Sequence, residues 1–202
     1  MKMNMIKVMT LALGFFMLSA FTATEPLNIG AEAPMAENEM PGTDGENYSL
    51  KSAADKNGLL VVFSCNTCPF VIAWEDRYNE LMKFANDNKV GMIVVNSNSA
   101  RRTSVDSPSA MKEKVQEKNY QFPYVVDEGN RLADAFGAAK TPDVFLFNGD
   151  MELAYKGAID NSGGGRQDVS EEYLMDAISK MVAGKKIDPN STKAIGCTIK
   201  RS

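Results

Sequence analysis

The stretch that decides the fold is Leu-Leu-Val-Val-Phe-Ser-Cys-Asn-Thr-Cys-Pro-Phe, residues 59–70. Its first half, Leu59 to Ser64, is a continuous apolar and β-branched run, which predicts a central strand buried on both faces. From Pro69 to about Asn88 apolar residues recur at helical spacing, and proline suits the first turn of a helix because the N–H that it lacks would have no partner there. Cys65 and Cys68 are therefore predicted to lie at a strand-to-helix junction.

The chain on either side of this junction predicts an α/β fold. The predicted elements are a short strand at 48–50, a second buried strand at 90–95, helices at 109–119 and 130–137, a strand at 122–126, a hairpin of 144–147 and 153–156, a loop at 163–165, a helix at 169–182 and a loop-like tail from 183. Buried strands that alternate with helices require crossover connections and a parallel pair, whereas the hairpin adds antiparallel strands. We expect a central mixed β-sheet with helices on both faces and an N-terminal extension packed on the core.

The N-terminus has the pattern of a cleaved secretory signal. Lys2 and Lys7 form a short basic region, Val8 to Phe21 is apolar, and small residues follow. The sequence thus predicts a signal peptide at 1–24 and a single domain at 25–202, with an uncleaved membrane anchor as the alternative. Export, for instance to the periplasm, would place the domain in an oxidising compartment.

Composition excludes several functions. The chain has three cysteines and no histidine, so Cys-His and Ser-His-Asp catalysis are impossible and a structural zinc site lacks its fourth ligand. The formal net charge is −4, and no cluster of Lys and Arg suggests a nucleic-acid partner. We expect no metal and no cofactor.

The paired cysteines indicate thiol–disulfide exchange. Unpaired N–H groups and the helix dipole at a helix N-terminus favour a thiolate, so the pKa of Cys65 should be lowered. Cys65 would attack a substrate disulfide, and Cys68, one turn into the helix, would resolve the mixed disulfide by closing a small Cys65–Cys68 bond. The alternative is a non-catalytic binding module in which a Cys65–Cys68 bond is permanent.

Around these cysteines the chain resembles the thioredoxin-like superfamily, in particular its peroxiredoxin-like, thiol-specific antioxidant (redoxin) branch. The resemblance covers residues 29–200, and its motifs are Phe63–Phe70, Glu75–Arg77, Phe122–Tyr124, Thr141–Phe145, Tyr155–Asp160 and Gly196–Lys200. It implies a thioredoxin-like fold in which Pro142 is cis and faces the cysteines, while Thr141 offers free backbone groups to a substrate strand. It also implies a thiol–disulfide oxidoreductase that acts on protein thiols and disulfides and is recycled by a membrane electron donor.

Peroxide chemistry is the second interpretation that the resemblance allows. Peroxiredoxins carry a P-x-x-x-T-x-x-C motif, and their peroxide-attacking cysteine aligns with Cys68. Here Val61 replaces the proline and Cys65 replaces the threonine. Two of the three defining residues are absent, which favours a disulfide reductase over a thiol peroxidase.

Three further residues are candidate accessories. Glu75 lies seven residues after Cys68, so the two could share a helix face, where Glu75 either handles protons or is simply solvated. Asn96 follows the second strand, at the edge of the sheet where ligands tend to bind. Cys197 could pair between molecules, act as an extra resolving cysteine or be a small buried hydrophobic residue.

Overall fold

The structure is a computed structural model that describes residues 25–162 and 169–202. The predicted signal peptide at 1–24 and the predicted loop at 163–165 lie outside these residues, and the domain division stays a prediction. The strands are β1 Met40–Pro41, β2 Asn47–Tyr48, β3 Gly58–Ser64, β4 Gly91–Asn96, β5 Tyr124–Val126, β6 Lys140–Thr141, β7 Asp143–Asn148, β8 Leu153–Gly157 and β9 Cys197–Thr198. The helices are α1 Leu50–Ala53, α2 Pro69–Glu75, α3 Tyr78–Asp87, α4 Pro108–Lys118, α5 Arg131–Phe136 and α6 Tyr173–Val182, with 3-10 turns at Ser99–Arg101 and Glu128–Asn130.

Five strands form one mixed sheet in the order β5-β4-β3-β7-β8. The strands β3, β4 and β5 run parallel, whereas β7 is antiparallel to both β3 and β8. All seven residues of β3 are buried, because neighbouring strands flank it and both of its faces are covered. The predicted mixed sheet, its parallel pair and its hairpin are confirmed.

The side chains of β3 divide the core into two halves. Leu60 and Val62 point to a cluster that includes residues of α2, α3, α4 and α6. Leu59, Val61 and Phe63 point to the opposite cluster, which the N-terminal segment, α1 and α5 complete. Successive side chains of a strand face opposite ways, so the unbroken apolar run of β3 fills both halves of the core.

The predicted helix from Pro69 to Asn88 is interrupted between α2 and α3. The N–H of Arg77 donates to the carbonyl of Trp74 at 2.9 Å, a tighter turn than that of an α-helix. The Arg77 guanidinium lies 3.2 Å above the Trp74 ring and is paired with Asp160 at 2.9 Å. These contacts accompany a break that helical spacing alone does not reveal.

Three other sequence predictions need correction. The strand predicted at 48–50 ends at Tyr48, because the Ser49 side chain accepts a hydrogen bond from the Ser52 N–H at 3.0 Å and caps α1. The last helix begins at Tyr173 instead of Val169. The tail is not only a loop, since it contains β9, which pairs antiparallel with β6. Across residues 25–162 and 169–202, no helix has the length and apolar character needed to cross a membrane.

Candidate active site

The cysteine motif lies where β3 ends and α2 begins. Ser64 is the last residue of β3, Cys65 follows it, and Cys68 is the N-cap of α2 with Pro69 in its first turn. The β3–β7 register sets Phe63 opposite Asp143, so the two residues before β7 come beside the cysteines. The predicted strand-to-helix junction is thus present.

The peptide bond between Thr141 and Pro142 is cis, as the resemblance implies. Both motif cysteines touch Thr141: the Cys65 Sγ lies 3.4 Å from its hydroxyl oxygen, and the Cys68 Sγ lies 3.2 Å from its carbonyl oxygen. Thr141 therefore lies against the cysteine pair with Pro142 directly after it, and the substrate-positioning role of the two residues stays a prediction.

The disulfide of the site joins Cys68 to Cys197, across 129 residues of sequence. Cys65 is a free, buried thiol. The expected Cys65–Cys68 bond is not the one present, and neither is the permanent bond of the binding-module alternative. Sequence spacing could not identify this pairing, because it depends on a tail segment that returns to the motif through the fold.

The returning segment lies along Thr141. In the β6–β9 pair, Thr141 is opposite Cys197 and Lys140 is opposite Thr198. Gly196 approaches so closely that a side chain there would collide with the Thr141 carbonyl. The expectation that Thr141 has a free backbone edge for a substrate strand is therefore wrong for this state, since the chain's own C-terminal strand occupies that edge.

The electrostatics of Cys65 differ from the sequence prediction. Burial raises the pKa of the Cys65 thiol above its ordinary value, and the charge of Asp106 adds to the increase. Hydrogen bonds from the Thr141 hydroxyl and from the N–H groups of Thr67 and Cys68 act in the opposite direction without offsetting it. The residue is only 4% exposed, so loss of hydration outweighs the helix terminus and the expected lowering of the pKa is wrong.

A buried polar network holds the loop between the two motif cysteines. The Asp106 carboxylate, fully buried, accepts hydrogen bonds from the Asn66 N–H at 2.8 Å, the Asn96 side chain at 2.8 Å and the Asn98 side chain at 3.0 Å. The Tyr124 hydroxyl donates to the Asn66 side chain at 3.0 Å. Asn96 therefore supports the motif through Asp106, a residue that the sequence analysis missed because nothing local distinguishes it.

Glu75 lies outside this group. It is 4% exposed, and its carboxylate pairs with Lys114 at 2.9 Å and with Lys118 at 2.7 Å. It is not a solvated residue on a helix face, and it does not line the cleft at the cysteines. Its observed contacts tie α2 to α4.

A cleft of about 280 Å³ opens over the three cysteines. Arg101, Lys200 and Asp106 also line it. Within the two described ranges, no group of three or more Cys, Asp or Glu side chains is arranged to hold a metal ion. The chemistry that the described side chains offer at this cleft is that of sulfur.

Comparisons with known proteins agree with the fold and with the oxidoreductase class. The model of the AhpC/TSA family matches residues 29–156. The thiol-disulfide oxidoreductase ResA of Halalkalibacterium halodurans is 24% identical over 174 residues, which cover 86% of this chain and 92% of the relative. An uncharacterized conserved protein from Geobacillus kaustophilus superposes with a TM-score of 0.80 at 30% identity, covering 87% of this chain and 93% of that one. A thioredoxin-like protein solved in its oxidized form superposes with a TM-score of 0.60 at 20% identity, covering 76% and 97%.

The chain belongs to the AhpC/TSA family. Its fold is thioredoxin-like, as the solved structures show, so the predicted fold class and the predicted branch are both confirmed. The prediction that the protein is an enzyme of the oxidoreductase class is confirmed as well.

Proposed function

We propose that the protein reduces disulfides of other proteins by thiol–disulfide exchange, with Cys65 as the attacking residue and Cys68 as the resolving residue. The observation that carries the proposal is that a free Cys65 thiol and a disulfide-bonded Cys68 lie against the same residue, Thr141, beside a cis proline. The likeness to a thiol-disulfide oxidoreductase over 86% of the chain supports it.

The reaction begins from the form in which the cysteines are reduced. The Cys65 thiolate attacks one sulfur of a substrate disulfide, and the other substrate sulfur leaves as a thiolate. The Cys68 thiolate then attacks the Cys65 sulfur, which forms a Cys65–Cys68 bond and releases the second substrate thiol. Two electrons pass from the protein to the substrate, so the exchange itself requires no cofactor.

The Thr141 hydroxyl and the N–H groups of Thr67 and Cys68 surround the Cys65 sulfur. These donors stabilise the thiolate when it forms, although burial keeps the pKa of Cys65 raised. The Cys68 sulfur can donate a hydrogen bond to the Thr141 carbonyl only as a thiol, because a disulfide sulfur has no proton. The 3.2 Å contact is therefore a hydrogen bond only when Cys68 is reduced.

The proposal includes the cellular setting. The basic and apolar pattern of residues 2–21 supports export, which would bring the enzyme to substrates that carry disulfides. Such an enzyme needs a dithiol donor in the membrane to restore its thiols. Cell fractionation with N-terminal sequencing tests the export: a periplasmic chain that starts between residues 21 and 25 supports it, and an intact N-terminus in the cytoplasm contradicts it.

The reaction is tested by following the reduction of insulin disulfides with dithiothreitol as the electron source. We expect Cys65→Ser to lose the catalysed rate. When the reduced double variant Cys68→Ser, Cys197→Ser is freed of dithiothreitol and mixed with insulin, it should accumulate a mixed disulfide between Cys65 and the substrate, because both candidate resolving thiols are gone. Full activity of Cys65→Ser would contradict the assignment.

A thiol peroxidase is a second candidate, and the Cys68–Cys197 bond is the observation that favours it. Peroxide would oxidise the Cys68 thiolate to a sulfenic acid with release of water, and Cys197 would then displace a second water to form the observed bond. This reaction needs no Cys65. Retention of peroxide reduction by Cys65→Ser, with sulfenic acid on Cys68 in the double variant Cys65→Ser, Cys197→Ser, would support it.

A further inference from the structure

The segment that carries Cys197 is fixed to the fold on both sides of the cysteine. Upstream, the Thr192 N–H donates to the Lys156 carbonyl at 3.0 Å. Downstream, the Ile199 N–H donates to the Ala139 carbonyl at 3.0 Å, the Lys200 N–H donates to the Asn98 side chain at 2.8 Å, and the Ile199 side chain is buried. These contacts do not involve the disulfide, so they would keep the Cys197 thiol beside Cys68 after the bond is reduced.

The three cysteine residues differ in their exposure to solvent. Cys65 and Cys68 are 4% and 6% exposed, whereas Cys197 is only partly buried. All three line the same cleft. A partner thiol that enters the cleft therefore meets Cys197 with less obstruction than it meets the motif cysteines.

Building on the proposed function, we propose that Cys197 is a third redox-active cysteine with two roles. After each substrate disulfide has been reduced, Cys197 displaces Cys65 from its bond with Cys68. An external dithiol donor then attacks the Cys197 sulfur and re-reduces the enzyme. Its strand occupies the edge of Thr141 that the sequence analysis assigned to a substrate strand. Cys197 therefore lies beside Cys68 in the position that a cysteine of a bound substrate strand was expected to take.

The first step is an internal exchange. The Cys197 thiolate attacks the Cys68 sulfur of the Cys65–Cys68 bond, the Cys68–Cys197 bond forms, and Cys65 leaves as a thiolate that takes up a proton. One disulfide is exchanged for another, so no electrons enter or leave. The raised pKa of Cys65 favours this product, because the released thiolate is protonated at neutral pH.

The second step returns two electrons to the site. One thiolate of a dithiol donor attacks the Cys197 sulfur, and Cys68 leaves as a thiolate. The second donor thiol then attacks the donor sulfur that is bonded to Cys197. This step forms the donor disulfide and releases Cys197 as a thiolate. The donor is oxidised by two electrons, and all three cysteines of the enzyme are thiols again.

The inference is tested by mapping disulfides during a single turnover. The fully reduced protein is mixed with one equivalent of glutathione disulfide, quenched with acid at successive times, alkylated and digested. We expect a Cys65–Cys68 bond at early times and a Cys68–Cys197 bond at late times in the wild type, and a persistent Cys65–Cys68 bond in Cys197→Ser. Re-reduction of oxidised Cys197→Ser by dithiothreitol should be slower than that of the wild type, by about tenfold or more.

A second variant moves the strand and keeps the cysteine. Because a side chain at Gly196 would collide with the Thr141 carbonyl, Gly196→Val should displace β9 and leave the Cys65–Cys68 bond in the oxidised protein. Lys193→Val is the matched control, since Lys193 is exposed in the same segment, and it should map as the wild type does. A Cys65–Cys68 bond that persists to the latest time in the wild type and in Lys193→Val, as it does in Gly196→Val, would overturn the inference.

The outcomes separate this inference from the proposed function. If the wild type and Cys197→Ser both react with glutathione disulfide, but Cys197 of the wild type is found as a free, alkylatable thiol at every time point, the role of Cys197 is refuted and the role of Cys65 stands. If Cys65→Ser reacts with glutathione disulfide as fast as the wild type, the proposed function fails, and the inference fails with it.

Discussion

Cys65 combines the position of a nucleophile with the environment of a buried thiol. Its sulfur contacts the Thr141 hydroxyl and accepts hydrogen bonds from backbone N–H groups, yet burial and the charge of Asp106 together raise the pKa of the thiol. A thiol of this kind reacts slowly until a substrate or a pH change shifts it to the thiolate. Cys65 should therefore be inert in the oxidised protein at neutral pH.

The oxidised protein allows this property to be measured at one residue, because Cys68 and Cys197 are bonded to each other. We expect the rate of Cys65 alkylation by iodoacetamide to keep rising with pH beyond about 8.5, the pKa of an ordinary thiol, since the thiolate fraction grows only as pH approaches the raised pKa. The same protein unfolded in urea is the control and should titrate near the ordinary value. A plateau below pH 8 in the folded protein would contradict the raised pKa.

At the scale of elements, the site depends on contacts between segments that are distant in sequence. The loop between β3 and α2 is held by Asp106, which follows β4, and the edge of β6 is covered by β9. The strands β3 and β4 and the β7–β8 hairpin could be predicted because their apolar patterns are strong and local. The two-residue strand β9 could not be, because its position comes from pairing with Lys140 and Thr141 and not from its own composition.

Asp106→Asn tests the network at this scale. The substitution replaces one carboxylate oxygen by an NH₂ group, which must face at least one of the three N–H donors that Asp106 accepts from. Because that hydrogen bond is lost, we expect the free energy of unfolding in urea to fall by about 1–3 kcal/mol. Removal of the negative charge should also lower the pKa of Cys65 and shift its alkylation profile to lower pH. Asp150→Asn, in the exposed hairpin turn, is the control and should change neither property.

At the scale of the whole molecule, stability depends on pH through a carboxyl group in the central sheet. Asp143, the first residue of β7, is 8% exposed. Burial raises its pKa to about 7, although N–H groups of Ala139, Lys140 and Val144 and the charge of Lys156 oppose the shift. In the unfolded chain the same group titrates near 3.9.

The sign of this effect follows from proton binding. Between about pH 4 and pH 7 the folded protein holds a proton on Asp143 that the unfolded chain releases, so this group's contribution is complete at low pH and is lost as pH rises through 7. The whole contribution is about 4 kcal/mol. We expect the unfolding free energy of the wild type to fall relative to that of Asp143→Asn as pH rises across this range, as measured by urea titration at several pH values. A constant difference from pH 4 to pH 7 would show that the pKa is not raised.

The sequence also predicted the class of enzyme, because paired cysteines between a buried strand and a proline-led helix are a local signal. It did not predict which cysteines are bonded, since the partner of Cys68 comes from a tail 129 residues away. It also gave the wrong direction for the pKa of Cys65, because the spacing of a motif carries no information on how deeply the fold buries it. Long-range packing decides both properties.

We expect this three-cysteine site to cycle between thiols and a disulfide instead of holding a permanent bridge. The most direct test of this expectation is the reduction potential of the site, measured by equilibrating the protein in dithiothreitol buffers of graded composition and mapping the bonded cysteines at each potential. We expect a reduction potential above about −300 mV, within the range of working oxidoreductases. A value below about −300 mV, typical of structural disulfides, would contradict it.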